Sequence, residues 1–108
     1  MSVILQVNYT WDVEEDVANR VADDAERYNG IPGLQWKLWI RDPETKTSGG
    51  IHLFTDRESA RHYFEDVALP VIDALDGARD LEWKILAINE DASRANRTEL
   101  DLEPLVAV

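Results

Sequence analysis

Lys37 stands between two tryptophans in the stretch GLQWKLWIR (residues 33–41), and His52 stands between Ile51 and Leu53 in GGIHLFT. These are the two side chains whose type and setting suit proton transfer. An imidazole titrates near neutral pH and serves as a base or as a hydrogen-bond partner. A lysine deprived of water loses its proton more readily, although its long stem can equally carry the amine out to solvent. The other histidine, His62, lies beside Arg61 and Glu65 on the polar side of its helix and reads as exposed.

Aromatic side chains are plentiful enough to build a flat apolar slot around such groups, with four tryptophans, three tyrosines and two phenylalanines. Trp36, Trp39, Trp83 and Tyr63 are the candidate walls, with Asn8, Lys37 and Phe54 as further candidate substrate contacts and His52 as the candidate catalytic base. Core packing is the commoner use of any one aromatic, and a satisfied interface histidine is commoner than a catalytic one. Metal chemistry has little support, because the two histidines are far apart and no ligand spacing occurs on one helix face. The absence of cysteine excludes a disulfide scaffold, a thiolate metal site and a cysteine nucleophile. The glycines of SGG precede a strand rather than a helix, so they do not form a phosphate loop.

The elements that must position these groups follow from periodicity. Residues 3–11, VILQVNYTW, alternate with a period of two and read as a strand. Asp12 then fits a helix N-cap with Glu15 behind it, and Val13, Val17, Val21, Ala25 and Tyr28 recur at helical spacing. Asn29-Gly30 and Pro32 end that helix. Residues 33–41 form a second strand, DPETKTSGG a long hairpin loop, and GIHLFT a third strand. Thr55 and Glu58 read as a capping box for a second helix with Ala60, Tyr63, Phe64 and Val67 on its buried stripe. Pro70 should break or kink that helix, after which a last turn restarts. Residues 81–89, LEWKILAIN, make the fourth strand. The order β-α-β-β-α-β with right-handed crossovers gives an α+β, ferredoxin-like fold: a four-stranded antiparallel sheet with both helices on one face.

Two helices cover only one face of such a sheet. The strongly apolar set suits them: Val3, Leu5 and Val7, Leu34, Trp36 and Leu38, Ile51 and Leu53, Trp83 and Ile85. The other face then carries Ile4, Gln6, Asn8, Lys37, Trp39, His52, Phe54, Lys84, Leu86 and Ile88. That face is too apolar for water, and a second copy of the same sheet would cover it through a two-fold interface. The expected assembly is a homodimer in the form of a dimeric α+β barrel. The polar members of the face are either hydrogen-bonded across that interface or line a ligand cavity.

A chain of 108 residues makes one domain. It carries 22 acidic residues against 11 basic ones, a net charge of -11, which argues against nucleic acid and anionic membranes as partners. Asp outnumbers Glu and lysines are few, a pattern compatible with a solvated acidic surface or with a salty habitat. The N-terminus lacks the basic and apolar regions of a signal peptide, so the expected location is cytoplasmic.

Three strings carry a family likeness. IPGLQWKLW, GGIHLFTDRESA and INEDASRAN occur in order and at fitting distances, and together they resemble the YdhR family of monooxygenases over about residues 3–97. The resemblance implies a dimeric α+β barrel and an oxygenase needing no cofactor, by likeness to the quinone-forming enzymes of the same fold. His52 stands where the family pattern has tyrosine, and Asn8 where it has histidine. Residues 98–108 extend past the family's end and are apolar enough to pack on another surface, the partner subunit's being the candidate. A monooxygenase without a cofactor needs a substrate that itself reduces dioxygen, and phenols do so as phenolates. A small apolar aromatic ligand is therefore expected. A binding module without turnover, or an isomerase, cyclase or dehydratase on the same barrel, are the competing readings.

Overall fold

A computed structural model describes residues 1–11, 25–75 and 77–105. Strand β1 spans Val3–Trp11, β2 Leu34–Asp42, β3 Thr47–Phe54 and β4 Ala78–Ala87. They form one antiparallel sheet in the order β2-β3-β1-β4, the ferredoxin-like arrangement. The expected first helix falls largely on residues 12–24, outside the described residues, and Ala25–Gly30 closes that segment as a 3-10 turn.

The helical segment after β3 has three parts: helix α1 (Arg57–Tyr63), a π-helical turn (Phe64–Ala68) and helix α2 (Leu69–Asp73). Its cap is Asp56 rather than Thr55. The Ser59 amide donates to Asp56 Oδ1 at 2.7 Å, while the Thr55 hydroxyl donates to the same carboxylate at 2.9 Å. A carboxylate answers both the orphan amides and the positive end of the helix dipole, so it takes the position. Pro70 has no amide to offer and its ring would strike the carbonyl four residues back. The chain accommodates it by widening one turn, the Leu69 amide bonding Phe64 O, and proline then sits in the first turn of α2. After β4, Asn89 caps a short helix α3 (Glu90–Ala95) by accepting from the Ala92 amide.

The core lies between the sheet and α1 with its π turn. Val3, Leu5 and Val7 pack there against Leu34, Phe54, Ala60, Tyr63 and Phe64. The division of the sheet faces expected from sequence is corrected at two strands. Leu34 lies opposite Phe54 but Trp36 lies opposite Leu53, so Gln35 is an extra residue in β2. Such a bulge reverses which face the following side chains take. Beyond it Lys37 and Trp39 face the helices, while Trp36, Leu38 and Ile40 face outward. In β3 both alternating sets are apolar, and the pairing with β1 decides: Phe54 lies beside Val3 and His52 beside Leu5 on the helix side. His52 is 2 % exposed and Phe54 0 %.

Gln35 is itself buried. Its Nε2 donates to Leu102 O at 2.6 Å and to Leu100 O at 3.4 Å, and its Oε1 accepts from Ser2 Oγ at 2.9 Å. The Leu105 amide donates to Leu34 O at 2.8 Å. The described part of the C-terminal extension thus lies along the β2 edge of its own chain, with Leu100 buried.

Candidate functional site

Between the inner face of the sheet and the turn from Ala68 to Leu75 lies a cavity of ≈ 140 Å³. A cavity of about 150 Å³ is known to accept a benzene ring. Strand β3 supplies its floor through Gly50 and His52, β2 supplies Lys37 and Trp39, α1 supplies Tyr63, and the 3-10 turn supplies Tyr28.

His52 is held by one bond, Nδ1 to Leu5 O at 3.0 Å. A carbonyl only accepts, so Nδ1 carries the hydrogen and Nε2 presents a lone pair. That Nε2 is buried and has no hydrogen-bond partner among the described residues. An unmet polar atom of this kind costs about 1–3 kcal/mol, which a ligand hydroxyl would recover. Burial and then the nearby charge of Lys37 push the imidazole down to about 3, outweighing the bond to Leu5 O. The ring is neutral across the physiological range, a fixed acceptor rather than a strong base.

Lys37 is the charged counterpart. Its Nζ lies 3.8 Å from the centre of the Tyr28 ring and 3.4 Å from that of Trp39, and 3.3 Å from Tyr63 Oη. Burial lowers this amine to about 7, within reach of neutral pH, while the two ring faces favour its charged form. Burial, and then Tyr28, raise the Tyr63 phenol, so it stays protonated.

Gly50 lets His52 and Lys37 close over the strand, where a side chain would not fit. A Cβ there would meet His52 Cε1 at 2.8 Å, and both His52 Nε2 and Lys37 Cε at 3.2 Å. No group of three His, Asp or Glu side chains suited to a metal occurs among the described residues. No helix among them is long and apolar enough to cross a membrane.

The family described as "Putative mono-oxygenase ydhR" matches residues 4–99. The chain belongs to the ydhR family. The likeness read from its three strings holds, and residues 100–108 lie beyond the matched span. Among solved structures the chain is similar to that of a mutant of SnoaB, described as a cofactor-independent oxygenase from Streptomyces nogalater. The TM-score is 0.63 at 19% identity, covering 82% of this chain and 93% of that one. At that identity the likeness establishes the fold. No curated protein matches the chain.

In this ydhR family member, four of the residues singled out from sequence meet at the cavity: Lys37, Trp39, His52 and Tyr63. Four others lie elsewhere. Phe54 is packed beneath, its ring 6.1 Å from His52 and 5.5 Å from Tyr63. Trp83 stacks on Phe64 at 4.2 Å and is 43 % exposed. Asn8 and Trp36 point to the outer face, away from the cavity. Tyr28 and Gly50 are among the lining residues that were not foreseen. Tyr28 reads in sequence only as part of a helical stripe. Gly50 carries a signal that a glycine inside a strand often gives, the close approach of something else to the backbone.

Proposed function

We propose that this protein is a cofactor-independent monooxygenase acting on a small phenolic ring. The observation that carries the reading is a ring-sized cavity with aromatic walls whose lining brings together Lys37 and His52, the latter with a buried Nε2 that has no partner among the described residues. Membership of the ydhR family and the SnoaB-like fold support the same class of chemistry. The substrate would supply the electrons. A ring carbon of the phenol takes one atom of dioxygen as a carbonyl, the other atom leaves as water, and the four electrons that reduce dioxygen come from the ring as it becomes a quinone. The protein's part is to orient the ring, exclude water and manage the proton. Lys37 and His52, which converge over Gly50, hold the ring oxygen and manage the proton. The walls Trp39, Tyr28 and Tyr63 hold the ring plane.

We also infer a homodimer. The outer face carries Ile4, Ile51, Trp36 and Ile40 beside Leu38, 53 % exposed, and Leu86, 42 % exposed. The buried Asn8 Oδ1 on that face has no partner among the described residues. A second copy of the sheet fits such a surface better than water does.

The decisive experiment mixes purified protein, free of metal and flavin, with mono- and dihydroxyaromatic compounds while dioxygen uptake is followed. The expected result is uptake with a quinone product, and a loss of roughly 10²-fold in His52→Phe from misplacement of the ring. Saturable binding of the same compounds without any uptake would instead favour a binding module.

A further inference from the structure

We propose that the cavity selects a ring bearing two neighbouring oxygens, one hydroxyl donated to His52 Nε2 and the other held as an oxyanion by Lys37, the two side chains that converge over Gly50. This rests on the oxygenase reading of the same cavity and names the substrate class within it.

The two polar groups ask for different things. His52 Nε2 can only accept, because Nδ1–H is committed to Leu5 O at 3.0 Å. It therefore requires a ligand atom that still carries its hydrogen. Lys37 can only donate while charged, and it faces no carboxylate among the described residues around the cavity. The titratable side chains facing it there are Tyr9, Tyr28, Tyr63 and His52. A half-buried ammonium without an anion is poorly compensated by ring faces and one phenol oxygen. An aryl oxide brought by the ligand completes it. A single hydroxyl can donate to Nε2 and accept from Lys37, but it stays neutral and leaves the ammonium without an anion. Two oxygens on neighbouring carbons answer both demands. A Cβ on Gly50 would lie 3.2 Å from Nε2 and 3.2 Å from Lys37 Cε, so the two side chains converge over the same glycine and one small ligand edge can span them.

The step is a proton transfer. The O–H bond of the second hydroxyl breaks, the proton goes to the Lys37 amine, and the electron pair stays on oxygen. Where the amine is already protonated, the proton goes to water and the bound pair is the same. Lowering of the amine to about 7 by burial places both routes near neutral pH.

The test uses two coloured probes, 4-nitrocatechol and 4-nitrophenol, whose ionised forms absorb at longer wavelength than their neutral forms. Each is titrated with the full chain at a pH below its own ionisation, where the free probe is neutral. The expected wild-type result is bound nitrocatechol with the ionised band, and tighter binding than nitrophenol. Lys37→Met should lose the ionised band and weaken binding by about tenfold or more, and Lys37→Arg should keep the band. His52→Phe should keep the band but erase the preference for nitrocatechol. Far-ultraviolet dichroism checks that each variant is folded. A neutral bound probe in wild type, an ionised band surviving in Lys37→Met, or no binding of either probe would overturn the proposal. The outcome is separate from turnover. An ionised bound probe without dioxygen uptake leaves this site standing and removes the oxygenase, and uptake with a neutral bound probe does the reverse.

Discussion

The two faces of one sheet solve opposite problems in this chain. On the inner face, polar groups are buried among rings: His52, Lys37 and Tyr63 sit where apolar side chains would pack more cheaply. On the outer face, apolar groups are left wet: Leu38 and Leu86 stay exposed where polar side chains would cost nothing. Each face therefore departs from what stability alone would select, and each departure points to something that completes it. In the proposed reading that is a ligand on the inner face and a second sheet on the outer face.

The comparison breaks most severely at the inner core. Leu5 is fully buried beneath the cavity. Leu5→Ala should cost about 2–5 kcal/mol in denaturant unfolding, because the surrounding sheet cannot collapse into the void. Leu38→Ala on the outer face should cost far less in a monomer, so a similar loss would mean that the faces are not distinct.

Next in size is the outer face itself. Leu38→Glu or Leu86→Glu should weaken self-association by at least about 2 kcal/mol, roughly 30-fold, if these residues sit at the centre of an interface. Light scattering or sedimentation over a concentration series reads this directly. A wild-type chain that remains monomeric at micromolar concentration would remove the second sheet from the account.

The inner face should reveal itself through pH. Lys37 falls from an ordinary 10.5 to about 7 on folding, and His52 from 6.5 to about 3. Both groups bind more protons unfolded than folded. Lys37 therefore adds to stability as pH rises from about 7 towards 10.5, and the penalty for its charge is fully present below 7. His52 removes stability as pH falls from 6.5 towards 3. One group contributes a slope of at most about 1.4 kcal/mol per pH unit. Lys37→Met should melt higher than wild type at pH 6 and lose that advantage as pH approaches 10.5. A constant difference across the range would show that the amine is not buried.

The smallest expected effect concerns neither face. Raising salt shortens the Debye length from about 10 Å at 0.1 M to about 3 Å at 1 M, which screens the repulsion of the 11 uncompensated negative charges. Melting temperature should rise modestly, and equally in wild type and Lys37→Met, since the cavity amine is shielded from the solvent ions. Flat or falling melts would count against it.

Much of the fold was legible because its signals are local. Period-two alternation gives β1 its Val3–Trp11 bounds, and Pro70 announces an interruption that the π turn then absorbs. What was hidden is the phase of β2 and β3. No spacing rule marks Gln35 as an extra residue, and in GIHLFT both alternating sets are apolar enough to be inside. Lys37, Trp39 and His52 were therefore assigned to the outer face, although they were chosen correctly as residues that lie near one another. Tyr63 was proposed for the same slot although its helix was assigned to the other face, and the corrected phase of β2 and β3 brings all four to one cavity. Helix α3 was missed because six residues carry too little periodicity, although Asn89 is a good cap.

The Gln35 bulge has a consequence for how the cavity is kept in order. A bulged strand has a neighbour in conformational space, the same strand slipped by one residue, in which Trp36 and Leu38 would turn inward and Lys37 would leave the cavity. Gln35 is pinned by two carbonyls of the tail, and the tail is anchored in turn on Leu34. The C-terminal segment beyond the matched family span thus works as a ratchet pawl, holding one tooth of the strand in place. Removing residues 100–108 should release it, and the first symptom would appear in the spectrum of a probe bound at Lys37.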